Sequence, residues 1–131
     1  MTSIDVVVPN YNYGRYLRAC VESILNQEAV TIRVLIIDNA STDDSAEIAR
    51  SLARDPRVEL VLRTENLGTH ASFNQGIDWA EADYFLLMFS DDFLVPGALK
   101  RAIDIMEADK SIAFAYGRDV SVKGSAAIPQ I

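Results

Sequence analysis

Short apolar runs recur along the chain at a nearly constant interval, and this spacing constrains the fold more than any other feature. Five runs of mostly β-branched or aromatic residues begin 26 to 28 residues apart. Such an interval holds one strand and one crossover helix, whereas a hairpin needs a much shorter spacing. The predicted strands are Ile4–Val8, Ile32–Ile37, Val58–Leu62, Tyr84–Phe89 and Ile112–Tyr116.

The segments between these strands carry apolar residues three or four positions apart, which lie on one face of a helix. The four stripes are Leu17, Cys20, Val21, Ile24 and Leu25; Ile48, Ala49, Leu52 and Ala53; Phe73, Ile77 and Ala80; and Leu99, Ala102, Ile103 and Met106. The alternation predicts an α/β fold, a mostly parallel sheet with helices on both faces and right-handed crossovers. Because residues 34–37 and 84–89 show no polar alternation, we expect those strands to be covered on both faces.

Composition excludes several classes of protein. The net charge is −7 and no basic cluster is present, so the chain is a poor candidate for nucleic-acid binding. The longest apolar run, 84–89, is far shorter than the ~20 residues of a membrane span. Asp5 follows a start without basic residues, which argues against a signal peptide. A single cysteine, Cys20, excludes an internal disulfide. We therefore expect a cytoplasmic location, with membrane association only through parts of the protein outside this chain.

Polar and aromatic residues follow three of the predicted strands. In an open parallel sheet, ligands bind outside the carboxyl ends of the strands. Pro9-Asn10-Tyr11 follows the first strand, Asp38-Asn39 the second, and Ser90-Asp91-Asp92 the fourth. The sequence therefore predicts a binding site where these groups gather at one edge of the sheet.

The chemistry of this edge points to a cation. The chain has no GxGxxG after its first strand and no GxxxxGK[ST] motif, so a phosphorylated ligand would need a metal ion. Adjacent carboxylates such as Asp91 and Asp92 repel each other unless a cation neutralises them, and their oxygens suit Mg²⁺ or Mn²⁺. A Cys/His zinc site is excluded because there is only one residue of each type.

Each of these signals also has an ordinary structural explanation. The Asp91-Asp92 pair could form only a turn and a helix N-cap, and Asp38 could cap the second helix. Tyr11 could be a packed loop aromatic rather than a stacking platform. The binding interpretation rests on the expectation that all of them lie at the same edge.

Four sequence blocks at these strand ends occur together, over residues 4–108. They read VVVPNYN at 6–12 with SILNQ at 23–27, IIDNASTD at 36–43, NLG at 66–68 with NQGI at 74–77, and FSDDFLVP at 89–96. In order and spacing they resemble the blocks of family 2 glycosyltransferases. The resemblance implies the Rossmann-like GT-A fold, a nucleotide-diphospho-sugar donor and inverting transfer of the sugar.

The first two blocks imply the base-binding side of the site. Pro9, Asn10 and Tyr11 resemble the segment that holds the nucleobase and ribose, with Tyr11 stacked on the base. Asp38 and Asn39 resemble residues that hydrogen-bond the base, because a carboxylate or amide there can accept a pyrimidine N3–H. Many members read Asp-Asp-Gly-Ser where this chain has residues 38–41 as Asp-Asn-Ala-Ser, so the contact from Asn39 is altered.

The fourth block implies the diphosphate side. Asp91 and Asp92 resemble the acidic pair that binds the metal and the diphosphate or ribose, and Ser90 lies between the positions of the family's acids. Many members read Asp-Ser-Asp-Asp where this chain begins with Phe89, so the first acid is lost to an apolar residue. Metal binding is therefore left to Asp91 and Asp92.

The resemblance also shapes the expected domain organisation. Residues 1–117 are predicted to form the donor-binding domain, and residues 118–131 a tail or linker toward an acceptor-binding part. No catalytic residue is identified, because the family's general base is a carboxylate on the acceptor half, expected beyond residue 131. The implied reaction transfers a sugar from a UDP- or dTDP-sugar to the hydroxyl of a saccharide or lipid-linked acceptor, in cell-surface polysaccharide synthesis.

Two other classes of protein share part of this pattern. A non-catalytic nucleotide-binding or regulatory module of the same fold would use the same sheet edge without transfer. A receiver-like signalling domain also alternates strands and helices, but it carries acids after its first strand and an aspartate after its third. Here those positions hold Pro9-Asn10 and Arg63-Thr64, which argues against a receiver. The sugar, the acceptor and the oligomeric state are not predicted by the sequence.

Overall fold

The computed structural model describes residues 1–119 and 121, in which four strands alternate with four helices. The elements are β1 (Ser3–Asn10), α1 (Gly14–Leu25), β2 (Thr31–Asp38), α2 (Ser45–Leu52), β3 (Val58–Leu62), α3 (Thr69–Trp79), β4 (Tyr84–Leu87) and α4 (Ala98–Ala108). All neighbouring strands are parallel, in the order β3-β2-β1-β4. The predicted α/β architecture is therefore confirmed.

The main core lies between the sheet and helices α1 and α2. The predicted stripe of α1 is buried apart from its last residue, Leu25, which is half-buried. It packs against strand residues on one face of β1 and β2, namely Val6, Val8, Val34 and Ile36, all fully buried. Strands β1 and β2 are covered on both faces, which confirms the prediction for residues 34–37 of β2.

Helix α3 covers the other face of the sheet and approaches it very closely. Its buried residues are Ser72 and Gly76, one turn apart, and a Cβ on Gly76 would lie 2.7 Å from Cβ of Val7. The predicted stripe of this helix is wrong at Ile77, which is 54% exposed. Small side chains form the contact face because the helix backbone lies too near the strand to admit larger ones.

Replacing Gly76 with alanine should lower the free energy of unfolding by about 1–2 kcal/mol. The added methyl group meets the stiff, β-branched side chain of Val7, so the helix must move away from the sheet. Urea unfolding of the two proteins measures the difference. Gly117→Ala is the matched control, because a Cβ there has nothing within 4 Å. Equal stability of Gly76→Ala and the parent would contradict the close seating of α3.

A buried carboxylate joins three segments on the α3 side of the sheet. Asp5 is 1% exposed and accepts two hydrogen bonds from Arg33, at 2.9 Å from Nε and 2.7 Å from Nη2. It also accepts from the backbone N–H groups of Glu81 and Ala82. Burial raises the pKa of Asp5, but the hydrogen bonds from Arg33, Glu81 and Ala82 outweigh it, so the pKa is lowered. The charged carboxylate therefore fixes the connection that leads from α3 into β4.

The guanidinium of this pair is itself held in place. Its carbon lies 4.4 Å from the centroid of the Trp79 ring, a cation–π arrangement. The indole N–H of Trp79 donates to Glu59 on β3 at 2.6 Å. Arg33 is thus packed against the end of α3, and the cluster links β1, β2, β3 and that helix.

The predicted fifth strand does not form. Residues 112–119 contain no helix or strand, and Phe114 and Tyr116 are 75% and 90% exposed. An apolar run becomes a strand only where a neighbour pairs with it, and no segment of residues 1–119 pairs with this one. The predicted tail at 118–131 falls mainly outside the described residues.

Strand β4 also departs from expectation, because it alternates between half-buried and exposed residues. Phe85 and Leu87 are 37% and 38% exposed on the side of the sheet that α3 occupies. In the described part of the chain β4 is one of the two edge strands, and α3 packs on β1 beside it. The predicted cover on both faces of this strand is therefore wrong. No helix of residues 1–119 is both long and apolar enough to span a bilayer.

Candidate functional site

A cavity of about 230 Å³ lies at the carboxyl ends of β1 and β4. The strands β2 and β3 are added on one side of β1, and β4 is added on the other, so the topological switch point lies between β1 and β4. Open α/β sheets bind their ligands at such switch points. The residues that line it are Pro9, Asn10, Tyr11, Tyr13, Asn39, Thr69, Phe89, Ser90 and Asp91. The structure thus brings together all the predicted site residues except Asp38 and Asp92, which do not line the cavity.

Three aromatic rings stand around this cavity with much of their surface exposed. The exposed fractions are 46% for Tyr11, 41% for Tyr13 and 49% for Phe89. Phe89 is fixed by an edge-on contact with Phe73, at 5.6 Å between ring centroids. Exposed ring faces can stack on a flat ligand ring, which a packed loop aromatic cannot do. The sequence interpretation missed Tyr13 and Phe89 as wall residues, although both lie within three residues of a strand end.

Asp38 lies beneath the cavity. It is 2% exposed and accepts hydrogen bonds from Asn10 Nδ2 at 2.9 Å, from Ser41 Oγ at 2.6 Å and from Ser41 N at 3.0 Å. The capping alternative is wrong for this residue, because α2 begins at Ser45 with Asp44 as its N-cap. Asp38 instead ties the end of β1 to the loop that follows β2.

Asn39 lines the cavity, yet its side-chain amide is engaged within the protein. Its Oδ1 accepts from Arg63 Nη1 at 2.6 Å, and its Nδ2 donates to Ser72 Oγ at 3.0 Å. Arg63 also donates to Ser72 and to Gln75. The sequence interpretation missed this positioning role of Arg63, although Arg63 is the first residue after β3 and belongs to the same sheet edge.

The loop after β2 has an unusual backbone at the position where many family members carry glycine. Ala40 has a φ of 62°, in the left-handed region that costs a non-glycine residue roughly 1 kcal/mol or more. Asn12 from the loop after β1 holds this segment, since its Oδ1 accepts from Thr42 N at 2.7 Å and its N–H donates to Ser41 Oγ at 2.9 Å. Hydrogen bonds between the two loops therefore compensate for the absence of glycine.

The acidic loop after β4 is anchored by α1 and by Gln27, which follows that helix. Ser23 Oγ accepts from Leu94 N at 2.9 Å. Gln27, which is buried, donates from Nε2 to the carbonyl of Val95 and accepts from Leu99 N. The block SILNQ at 23–27 therefore supports the loop that presents the acidic pair.

The adjacent carboxylates of Asp91 and Asp92 repel each other. Burial and the neighbouring charge of Asp91 raise the pKa of Asp92. Burial, Asp92 and Asp91 together raise the pKa of the Cys20 thiol to about 12, so Cys20 stays neutral and donates to the carbonyl of Phe89. Neither carboxylate takes part in an ion pair within residues 1–119. The same residues contain no cluster of three or more His, Cys, Asp or Glu side chains that could hold a metal ion.

The parallel sheet with a cavity at its switch point has the architecture of GT-A proteins. The chain belongs to glycosyl transferase family 2, whose profile matches residues 5–130. It is 32% identical over 125 residues to chondroitin synthase of Pasteurella multocida (strain Pm70), covering 93% of this chain and 13% of that protein. The chain thus spans only a small part of this relative.

Two solved structures share the fold. Residues 1–349 of S. aureus TarS in complex with UDP-GlcNAc match with a TM-score of 0.75 and 23% identity, over 82% of this chain and 32% of that one. The mannosyltransferase PcManGT from Pyrobaculum calidifontis in complex with GDP-Man and Mn²⁺ matches with a TM-score of 0.72 and 24% identity, over 79% and 32%. At these identities the similarity establishes the architecture alone.

Proposed function

We propose that this chain is the nucleotide-sugar-binding part of an inverting glycosyltransferase. Its donor is a UDP- or dTDP-sugar, and its acceptor is a hydroxyl of a saccharide or lipid-linked molecule. The relationship to chondroitin synthase supports a role in cell-surface polysaccharide synthesis. The proposal includes a cytoplasmic site of action, which the single cysteine favours.

One observation carries this proposal. The cavity at the ends of β1 and β4 combines exposed aromatic rings, a buried amide and a carboxylate within about 230 Å³. A nucleoside diphosphate needs these three kinds of group, because its base stacks, its base edge forms hydrogen bonds, and its phosphates need a bound cation. The complexes of TarS with UDP-GlcNAc and of PcManGT with GDP-Man and Mn²⁺ support the same assignment.

Asp91 and Asp92 are the residues that would hold Mg²⁺ or Mn²⁺. They fit such an ion because burial and the adjacent charge of Asp91 raise the pKa of Asp92, and neither carboxylate has a cationic partner within residues 1–119. Their oxygens are hard ligands, and substrate phosphates commonly complete the coordination of these metals. When bound, the metal stabilises the leaving diphosphate as a Lewis acid. Asp91 lines the cavity, so we assign it the closer contact with the ligand.

The second requirement of inverting transfer is a general base that deprotonates the acceptor hydroxyl. Such a base contributes roughly 10²–10⁴ in rate. We propose that it is a carboxylate of the acceptor-binding part, beyond residue 131, and that residues 1–117 serve donor binding. In the donor-binding part, we propose that Tyr11 stacks on the base and that Pro9 and Asn10 border it. Ser90 and Asp91 face the diphosphate.

Titration of UDP, dTDP and GDP into the chain with Mn²⁺ tests the proposal, and Tyr11→Ala tests its central contact. The variant should weaken UDP binding by about 1–3 kcal/mol, the contribution of base–aromatic stacking. Calorimetry measures both. Tyr116→Ala is the matched control, because that ring is 90% exposed and lies outside the cavity. Unchanged UDP affinity in Tyr11→Ala would mean that the ring does not stack on the base.

A further inference from the structure

Helix α1 and the turn after it carry three polar residues that are three and four positions apart, Cys20, Ser23 and Gln27. Residues at this spacing are neighbours on one helical face. All three bond to the backbone of the segment that leads from β4 into α4. Cys20 Sγ donates to the carbonyl of Phe89 at 3.5 Å, and Ser23 Oγ accepts from the N–H of Leu94 at 2.9 Å.

Gln27 bonds to this segment at both ends of its amide. Its Nε2 donates to the carbonyls of Ser23 at 3.2 Å and Val95 at 2.9 Å, and its Oε1 accepts from the N–H of Leu99 at 3.1 Å. Because a carbonyl only accepts and an N–H only donates, these partners fix the orientation of the amide. Leu99 lies in the first turn of α4, where N–H groups lack a partner within the helix. Gln27 is 7% exposed and therefore forms a buried bridge between α1 and α4.

The contacts with α1 lie on both sides of the acidic pair. Residues 88–97 contain no helix or strand, and Asp91 and Asp92 lie between the contacts at Phe89 and Leu94. Adjacent carboxylates repel each other, so a loop free to relax would move the two charges apart. The hydrogen bonds to α1 oppose that movement, because they hold the backbone before and after the pair.

We infer that Gln27 is a positioning residue for the cation site, which holds Asp91 and Asp92 near each other through the backbone of their loop. This inference rests on the proposed function, in which these two carboxylates bind Mg²⁺ or Mn²⁺. In the described part of the chain the Gln27 side chain hydrogen-bonds only to backbone atoms, and it does not line the cavity. It acts on cation binding because carboxylates that are held together during folding need not be brought together by the ion.

A purely structural role of Gln27 predicts a different result. A residue that only stabilises the fold changes the fraction of folded protein, which lowers UDP binding equally with and without a cation. A positioning residue changes only the part of the affinity that depends on the metal. Measuring UDP binding both in Mn²⁺ and in EDTA therefore separates the two roles.

Gln27→Met tests the inference, because it keeps the length of the side chain and removes the amide donors and the acceptor. In calorimetry with Mn²⁺, UDP affinity should fall about 10-fold, the lower end of the effect of groups that support metal ligands. In EDTA it should change less than about 2-fold. Equal losses in the two conditions, or no loss in Mn²⁺, would overturn the inference and leave the proposed function standing. A parent that binds UDP equally in Mn²⁺ and EDTA would overturn the metal assignment as well.

Arg57→Ala is the matched control at the same end of α1. Arg57 Nη1 donates to the carbonyl of Leu25 at 3.0 Å, and within the described residues its other side-chain hydrogen bonds go to Asp55. This variant should retain the full metal dependence of UDP binding. A loss of that dependence in Arg57→Ala would overturn the assignment to Gln27.

Ser23→Ala provides a second test, which decides the matter if Gln27→Met does not fold. It removes the acceptor of the Leu94 N–H and keeps the backbone carbonyl that Gln27 contacts. UDP affinity should fall about 3-fold in Mn²⁺, the effect of one hydrogen bond, and should stay constant in EDTA. Unchanged affinity in both conditions would show that α1 does not position the acidic loop.

Discussion

Replacing Asp5 with alanine should lower the free energy of unfolding by about 3 kcal/mol at pH 7, because it removes one partner of a buried ion pair. Asp5 is 1% exposed, and its carboxylate accepts hydrogen bonds from Arg33 and from two backbone N–H groups. Arg33 is 39% exposed, so water stabilises its charge in part and the loss stays at the lower end of the usual range. Urea denaturation of the variant and the parent measures the difference.

This stabilisation should depend on pH with a defined sign. The pKa of Asp5 is lowered in the folded chain relative to its ordinary value of 3.8. Its contribution is therefore fully present above that value and is lost as the pH falls through the lower pKa of the folded state. The difference between the parent and Asp5→Ala should thus be constant from pH 7 to about 5 and shrink below pH 4.

A second acid provides the control for this prediction. Asp104 pairs with Lys100 on the surface of α4, with 60% of its side chain exposed. Asp104→Ala should change the free energy of unfolding by no more than about 0.5 kcal/mol. An Asp5 variant that is no less stable than this control would show that the carboxylate does not hold the connection between α3 and β4.

Asn in place of Asp91 should weaken UDP binding in Mn²⁺ by about 1.5–3 kcal/mol, or roughly 10- to 150-fold. Asp91 lines the cavity beside Asp92, and the chain has no glycine-rich phosphate loop to take over its role. The neutral amide leaves one carboxylate to bind the cation that the diphosphate requires. Calorimetry with Mn²⁺ and with EDTA measures the effect in both proteins.

The four titrations form a cycle that separates a metal effect from a direct one. Chelation should weaken UDP binding to the parent at least about 10-fold and should have a smaller effect on Asp91→Asn, which has only one carboxylate left to bind the cation. Asp78→Asn, an exposed acid of α3 outside the cavity, should behave as the parent does. Equal UDP affinity of the parent in EDTA and Mn²⁺ would contradict the metal assignment.

The sheet could be predicted because its determinants are local. Apolar runs that begin at a regular interval specify parallel strands, and the stripe of α1 specifies which face it buries. The run Ile112–Tyr116 has the same composition, but a strand also requires a partner, and pairing depends on distant residues. The predicted buried face of α3 was wrong for a similar reason. The close approach of the helix at Gly76 depends on Val7 of β1, which is distant in sequence.

The site could be predicted in position and only partly in detail. The carboxyl ends of parallel strands lie at the same edge of the sheet, and ligands of open α/β sheets bind at that edge. The cavity lies there, as predicted. Which atoms remain available there depends on partners that sequence spacing does not specify. Arg63 engages Asn39, and Ser41 engages Asp38, through side-chain hydrogen bonds.

The side-chain bonds between the loops after β1 and β2 affect the thermodynamics of ligand capture. Fixing a residue's backbone costs about 1–2 kcal/mol of conformational entropy. In this chain Asn12, Asp38 and Ser41 lock one wall of the cavity during folding. The nucleotide that we propose as ligand would therefore meet a preformed surface, and little of the free energy of binding would be lost in ordering the protein. The two loops are thus ordered when the chain folds and not when the ligand binds. We expect this rigidity to increase the affinity for the ligand.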